Sequence, residues 1–193
     1  MQKIEKEIKI ELTDYKKQIT NLLDIGCRFI SFYKQITYRL DTKGCLLEEK
    51  GLFLRVRKDD ISTVTLKEKI SSKKQIKERK ETEFKIDDFR KMIYIFKKLG
   101  FKDMKIMEKF RANFKYKHLI ISIDEMPFGF FMEIEGPENE MKNVVKKLSL
   151  TDKKRLTSTY WDIFQDINNR KHIIRKNIVF SSKYKSKISV LFI

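Results

Sequence analysis

Charged residues two positions apart recur along segment after segment of this chain, and on a β-strand that spacing puts both side chains on one face. Glu5, Glu7 and Lys9 share a face near the amino terminus, and Arg55 and Arg57 share one with Leu54 and Val56 opposite. Lys67 with Lys69, then Arg79 with Glu81 and Glu83, then Lys109 with Arg111, repeat the arrangement. Glu133 and Glu135, flanking Ile134, complete it, and Asp124 ends the segment just before them. A single pair of this kind reads as the wet face of an antiparallel sheet. Six sets on successive strands need a joint explanation.

The six segments carrying these sets and two more without them, about 32–40 and 119–124, predict eight strands, the others at about 3–12, 52–57, 62–69, 78–86, 103–116 and 130–135, joined mainly by short turns. Helices are predicted where the apolar period changes to 3.6. One runs over 14–25 with Tyr15, Ile19, Leu22 and Leu23 inward, and one follows the capping residues Asp87 and Asp88 with Phe89, Met92, Ile93, Phe96 and Leu99 inward. Two more carry Met141, Val144, Val145 and Leu148, and Tyr160, Trp161, Ile163, Phe164 and Ile167. The fold class is α+β and mostly β. If the helices cover the apolar side of the sheet, the charged faces form either an open polar surface or the lumen of a closed barrel. Eight short strands left open would expose two edges, so closure is favoured. The expected fold is a closed eight-stranded antiparallel β-barrel, a tunnel with a charged lumen, covered by several helices.

Residues 1–169 are expected to form one domain and 170–193 a basic carboxyl-terminal tail. The tail contains Lys171, Arg175, Lys176, Lys183, Lys185 and Lys187 and no acid. A flexible appendage, an added strand and a phosphate-attracting arm are its three readings, and the flexible one is favoured. Its removal is expected to spare activity.

The formal charge of +17 attracts phosphate-rich partners, although Lys and Ile enrichment also follows from an A/T-rich genome. Cys27 and Cys45 are too few for a disulfide framework. The amino terminus lacks the apolar run of a signal peptide, and no stretch is apolar enough to span a bilayer, so a cytoplasmic protein without membrane insertion is expected. The six glycines form neither a P-loop nor a dinucleotide fingerprint, and His118 and His172 have no zinc-site or triad context.

Inside a lumen, clusters of like charge must be offset by each other, by water or by ligands. Gathered carboxylates suit hard cations such as Mg2+ or Mn2+, and gathered Arg and Lys suit phosphate oxygens. A polyanion bridged to carboxylates by metal ions satisfies both groups, which is the chemistry of a triphosphate site.

Glu5-Lys6-Glu7-Ile8-Lys9 matches the ExExK signature of the CYTH superfamily, the triphosphate tunnel metalloenzymes, which include class IV adenylyl cyclases and thiamine triphosphatases. Leu54-Arg55-Val56-Arg57, Lys67-Glu68-Lys69, Arg79-Lys80-Glu81, Glu108-Lys109-Phe110-Arg111, Ile123-Asp124-Glu125 and Phe131-Met132-Glu133-Ile134-Glu135-Gly136 resemble the successive family blocks in order. Ser158-Thr159-Tyr160-Trp161 resembles the closing Ser-Tyr block with one extra residue. One departure is Arg39-Leu40-Asp41, where the family often has Tyr-Phe-Asp.

The resemblance implies metal ligands at Glu5, Glu7, Glu133 and Glu135 with Asp124 beside them. It implies a phosphate clamp of Lys9, Arg55, Arg57, Lys67, Lys69, Arg79, Lys109 and Arg111, of which Lys9, Arg55 and Arg57 act in catalysis. Glu81 and Glu83 join the tunnel network. The expected activity is metal-dependent hydrolysis of a small triphosphate: inorganic triphosphate, thiamine triphosphate or a nucleoside triphosphate. The alternatives are a cyclase making cyclic AMP and pyrophosphate from ATP, and a non-enzymatic module binding polyphosphate or nucleic acid. Monomer and homodimer are both compatible with the sequence.

Overall fold

The computed structural model describes residues 2–73 and 76–191. Eight strands form the ring: β1 (Gln2–Leu12), β2 (Arg28–Asp41), β3 (Leu52–Lys58), β4 (Thr63–Lys73), β5 (Ile76–Lys85), β6 (Asp103–Tyr116), β7 (Leu119–Met126) and β8 (Gly129–Glu135). Their order is β5-β4-β3-β2-β6-β7-β8-β1, and pairing of β1 with β5 closes the circle. Every pairing in the ring is antiparallel. Closure depends on β1 serving two neighbours: Gln2–Glu7 pair with β5, and Glu7–Leu12 pair with β8. A short β9 (Arg155–Leu156) lies along β1 at Lys9 and Ile10, where β5 no longer reaches.

Five helices decorate the ring: α1 (Tyr15–Asp24), α2 (Leu46–Glu49), α3 (Phe89–Lys98), α4 (Glu138–Lys147) and α5 (Tyr160–Arg170). The strand residues that alternate with the charged ones form the core beneath them. Ile8, Ile10, Phe114, Ile121, Ile123 and Ile134 pack with Ile19 and Leu22 of α1 and Met141, Val144 and Val145 of α4. Each large apolar side chain buried there contributes on the order of 1.5–3 kcal/mol. Under α3, Leu40, Leu54, Val56 and Val64 form a second cluster with Ile93. Helices α1, α3 and α5 start where short polar side chains accept the free N–H groups of the first turn. Asp14 accepts from Lys17 N at 2.9 Å, Asp88 from Lys91 N at 2.9 Å, and Thr159 forms a capping box with Asp162. Gly136 ends β8 at φ +145°, and a Cβ there would lie 2.8 Å from Leu119 Cδ2. No helix among the described residues is long and apolar enough to cross a membrane.

One expectation is corrected here: the tail is packed against the ring instead of being a flexible appendage. Ile178 and Ile188 are both fully buried, and Ile178 makes an isolated parallel bridge to Met107. The added-strand reading comes closest, reduced to one bridge. The tail's basic residues had hidden two apolar anchors ten residues apart, with no run of alternating apolar residues between them to mark a strand.

Candidate active site in the tunnel

Alternation turns the charged faces inward onto a cavity of about 590 Å³. Glu5, Glu7, Glu81, Glu83, Glu133 and Glu135 line it together with Lys9, Arg55, Arg57, Lys67, Arg79, Lys109 and Arg111. Acids and bases are nearly balanced there, although the chain as a whole carries a charge of +17. Lys69 is exposed and does not line the cavity, and Asp124 is fully buried behind its wall.

The wall made by β6, β7 and β8 is a saturated ionic network. Arg111 Nε donates to Asp124 Oδ1 at 2.6 Å, its Nη2 donates to Asp124 Oδ2 at 2.6 Å, and Nη2 also donates to Glu133. Lys109 Nζ donates to Asp124 Oδ2 at 2.9 Å, and the Tyr160 hydroxyl donates to the same oxygen at 2.8 Å. Lys9 Nζ lies 3.3 Å from Glu133 Oε1 and 4.0 Å from Glu7 Oε1, and sits 4.2 Å above the Tyr160 ring. Burial pulls the Lys9 ammonium pKa down, but the Glu133 and Glu7 carboxylates outweigh it and hold the pKa above the ordinary lysine value. For Lys109 burial and the neighbouring Arg111 prevail, and its pKa falls to about 8. The carboxyl of Asp124 stays below the usual range because Arg111 and Lys109 overcome the desolvation that would raise it. Asp124 therefore holds Lys109 and Arg111 in place from behind.

The wall made by β3, β4 and β5 is looser. Arg55 Nε donates to Thr65 Oγ1 at 3.1 Å, and the Arg55 and Arg57 Nη2 atoms each lie 3.5 Å from Glu83 Oε2. Arg57 Nε, 3.3 Å from Asp59 Oδ2, makes no hydrogen bond, and neither does the buried Nε of Arg79. Buried donors without acceptors are costly, so these nitrogens favour an anion in the cavity. Burial and the adjacent Arg55 lower the pKa of Arg57, which means that added negative charge would be welcome there. Lys67 bridges Glu5 Oε2 at 2.7 Å and Glu81.

On the acidic side, Glu7 stands directly opposite Glu135 across the β1–β8 ladder, and Lys9 stands opposite Glu133. Like charges in register repel, and an oxygen-only donor set of this kind suits a hard divalent cation. Of the four expected ligands, Glu7 and Glu135 stand in register for such an ion, whereas Glu5 is paired with Lys67 and Glu133 with Lys9 and Arg111, so an ion held by all four would share those two with the lysines and the arginine. Asp124 is committed to Arg111, Lys109 and Tyr160. Outside the tunnel, ligand atoms of Asp41, Cys45 and Glu48 lie within 4.8 Å of one another. There Asp41 accepts from the Leu47 and Glu48 N–H groups, and Glu48 pairs with Arg39 at 2.8 Å, so this cluster already has a structural role.

Gln35, Phe53, Met107, Thr159, Tyr160 and Trp161 also line the cavity. The two-residue rule reaches Phe53 and Met107, which precede Arg55 and Lys109 on the same faces. Tyr160 and Trp161 carried an apolar helical signal and the resemblance to the closing Ser-Tyr block, neither of which placed them at the lumen, and their approach to it depends on how α5 docks.

The CYTH domain family model matches residues 3–160. A Methanocaldococcus jannaschii protein named "Putative adenylate cyclase" is 31% identical over 178 residues, covering 90% of this chain and 95% of that protein. Among solved structures, the PH1012 protein of Pyrococcus horikoshii superposes with a TM-score of 0.69 at 25% identity over 82% of this chain and 98% of its own. An adenylyl cyclase homologue from Hippeastrum gives a TM-score of 0.64 at 17% identity over 91% of this chain and 98% of its own, which shows a shared fold. Ring topology, charged lumen and family match agree: the chain belongs to the CYTH domain family.

Proposed function

We propose that this protein hydrolyses a small triphosphate in the tunnel with the help of a divalent metal ion, Mg2+ or Mn2+. The observation that carries the reading is the juxtaposition, in one cavity, of buried arginine nitrogens without a hydrogen bond and a set of carboxylates. A volume of about 590 Å³ is in the range of small-ligand sites. Phosphoryl transfer depends mainly on positioning and on stabilising charge at the phosphate oxygens. Arg55 and Arg57 present planar forks to two oxygens at a time, while Lys9, Lys67 and Arg79 add charge around the chain of phosphates. Lys109 and Arg111, locked to Asp124, offer a preset surface that needs no rearrangement as charge develops. A metal held by Glu5, Glu7, Glu133 and Glu135 would neutralise phosphate charge and orient a water. A module that only bound polyphosphate or nucleic acid would gain little from those carboxylates.

Cyclisation of ATP is the second reading, favoured by the archaeal relative named for that activity. The same clamp would then set the ribose hydroxyl against the α-phosphorus, with Phe53, Met107 and Trp161 as an apolar wall for the base. Names within this fold do not settle the choice, since the Hippeastrum protein named as a cyclase is described as having a dominant triphosphatase activity. Incubating the protein with ATP, thiamine triphosphate and inorganic triphosphate, each with Mg2+ or Mn2+, separates the readings. Orthophosphate release is the expected result, and cyclic AMP with pyrophosphate would replace it by the second reading.

A further inference from the structure

β6 is much longer than β7, so its edge is unpaired by β7 before Phe110, the residue facing Glu125. That bare stretch carries Met107 and leads into Lys109, both on the cavity wall. The tail covers it. Ile178 N donates to Ile106 O at 2.8 Å, Glu108 N donates to Ile178 O at 2.7 Å, and Asn177 Oδ1 accepts from Ile106 N at 3.0 Å. The Ile178 side chain is fully buried in one cluster with Met107, Tyr160 and Trp161, three residues that line the cavity.

Further along, the tail is anchored on a second buried group. Glu125, fully buried, accepts from the Tyr184 hydroxyl at 2.6 Å, the Ser186 hydroxyl at 2.6 Å, and Lys187 N at 2.9 and 3.0 Å. A buried carboxylate without such donors would be strongly unfavourable, so Glu125 and the tail require each other. Phe180 and Tyr184 stack at 4.5 Å between centroids, and Phe180 meets Phe110 at 5.1 Å.

We propose that residues 171–191 are a strap that completes the tunnel wall, with Ile178 and Glu125 acting as positioning residues for Lys109, Tyr160 and Trp161. The strap lies beyond the segment matched by the family, and its effect on turnover rests on the triphosphate reading above. It reverses the expectation that the tail is dispensable.

Trp161 is the only tryptophan, so its fluorescence reports the docked wall independently of activity. In the full-length protein, Ile178→Ala and Glu125→Gln are expected to red-shift Trp161 emission and increase its quenching by acrylamide. They should also lower kcat/KM for triphosphate by on the order of 10–100-fold, the scale of small displacements of binding groups. Ile178→Val, one carbon smaller, should restore both properties. If Ile178→Ala does not fold, Glu125→Gln carries the test. Emission and quenching unchanged in a folded variant would overturn the strap, whether or not triphosphate is turned over. Altered emission with unchanged kcat/KM would overturn its positioning role. A wild-type protein that turns over no triphosphate sinks the functional reading instead, and Trp161 emission then decides the strap alone.

Discussion

The two walls of the tunnel use the same residue types in opposite ways. On β6–β8, Arg111 spends its guanidinium on Asp124 and Glu133, and Lys109 shares the same aspartate. On β3–β5, Arg57 and Arg79 are half-buried, and their enclosed Nε atoms have no hydrogen-bond partner among the described residues. One wall's cations are hydrogen-bonded within the protein, and the other, although its arginines pair with Asp59 and Glu83, keeps two buried nitrogens without a hydrogen bond. The difference shows that a cluster of cations in a lumen is not uniformly a binding surface: part of it is scaffold.

Mutations should separate the walls sharply. Asp124→Asn leaves Arg111 and Lys109 short of a buried counter-charge, so unfolding free energy should fall by about 3–5 kcal/mol and activity should be lost with it. Thermal and denaturant melts read the first effect and phosphate release the second. Arg55→Ala should do the reverse: the fold survives, and kcat falls on the order of 10²–10³-fold because a charge-stabilising contact is gone. Arg55→Lys should also be impaired, since a point charge cannot engage two oxygens as a fork does. Arg57→Ala, whose side chain is poorly satisfied in the free protein, should change stability by no more than about 1 kcal/mol while raising KM for triphosphate. Equal stability losses in Asp124→Asn and Arg57→Ala would erase the distinction between the walls.

A smaller effect concerns pH. Lys109, with a pKa of about 8 in the folded protein against 10.5 ordinarily, is neutral in the folded state and charged in the unfolded state between those values. The unfolded chain then binds more protons, so this group makes stability rise with pH across that window and adds nothing further above 10.5. Its loss of charge weakens the clamp, so kcat/KM should decline above about pH 8. Lys109→Arg, which keeps its charge, should flatten that decline, and an identical decline in this variant would assign it to another group.

The barrel was legible because alternation is a local property: β1, β3, β4, β5, β6 and β8 each carried their own record of which residues face inward, whereas β2, which brings Gln35 to the cavity, carried none. Thirteen of the residues expected in the site line one cavity, as the shared-face rule for Glu5, Arg55 or Glu133 implied. What was not legible depended on three-dimensional neighbours. Asp124 sits in strand phase with a tunnel wall, yet only the approach of Tyr160 from α5 shows that it is enclosed behind that wall. Lys69 shares a face with Lys67, but falls where β4 bulges against β5 between Lys69 and Ser71 and stays exposed. The strap was hidden because its anchors, Ile178 and Glu125, signal nothing until a distant β6 edge and a distant tail meet.

The most direct test of the account is phosphate release from inorganic triphosphate by wild-type protein and by Glu7→Gln/Glu135→Gln, with Mg2+ or Mn2+ and with a chelator. The two carboxylates face each other across β1 and β8, and their amides keep the shape while weakening hold on a hard cation. The account predicts turnover by wild type that the chelator abolishes, and a folded double variant without activity at millimolar metal. Turnover by the double variant equal to wild type, persisting in chelator, would contradict it.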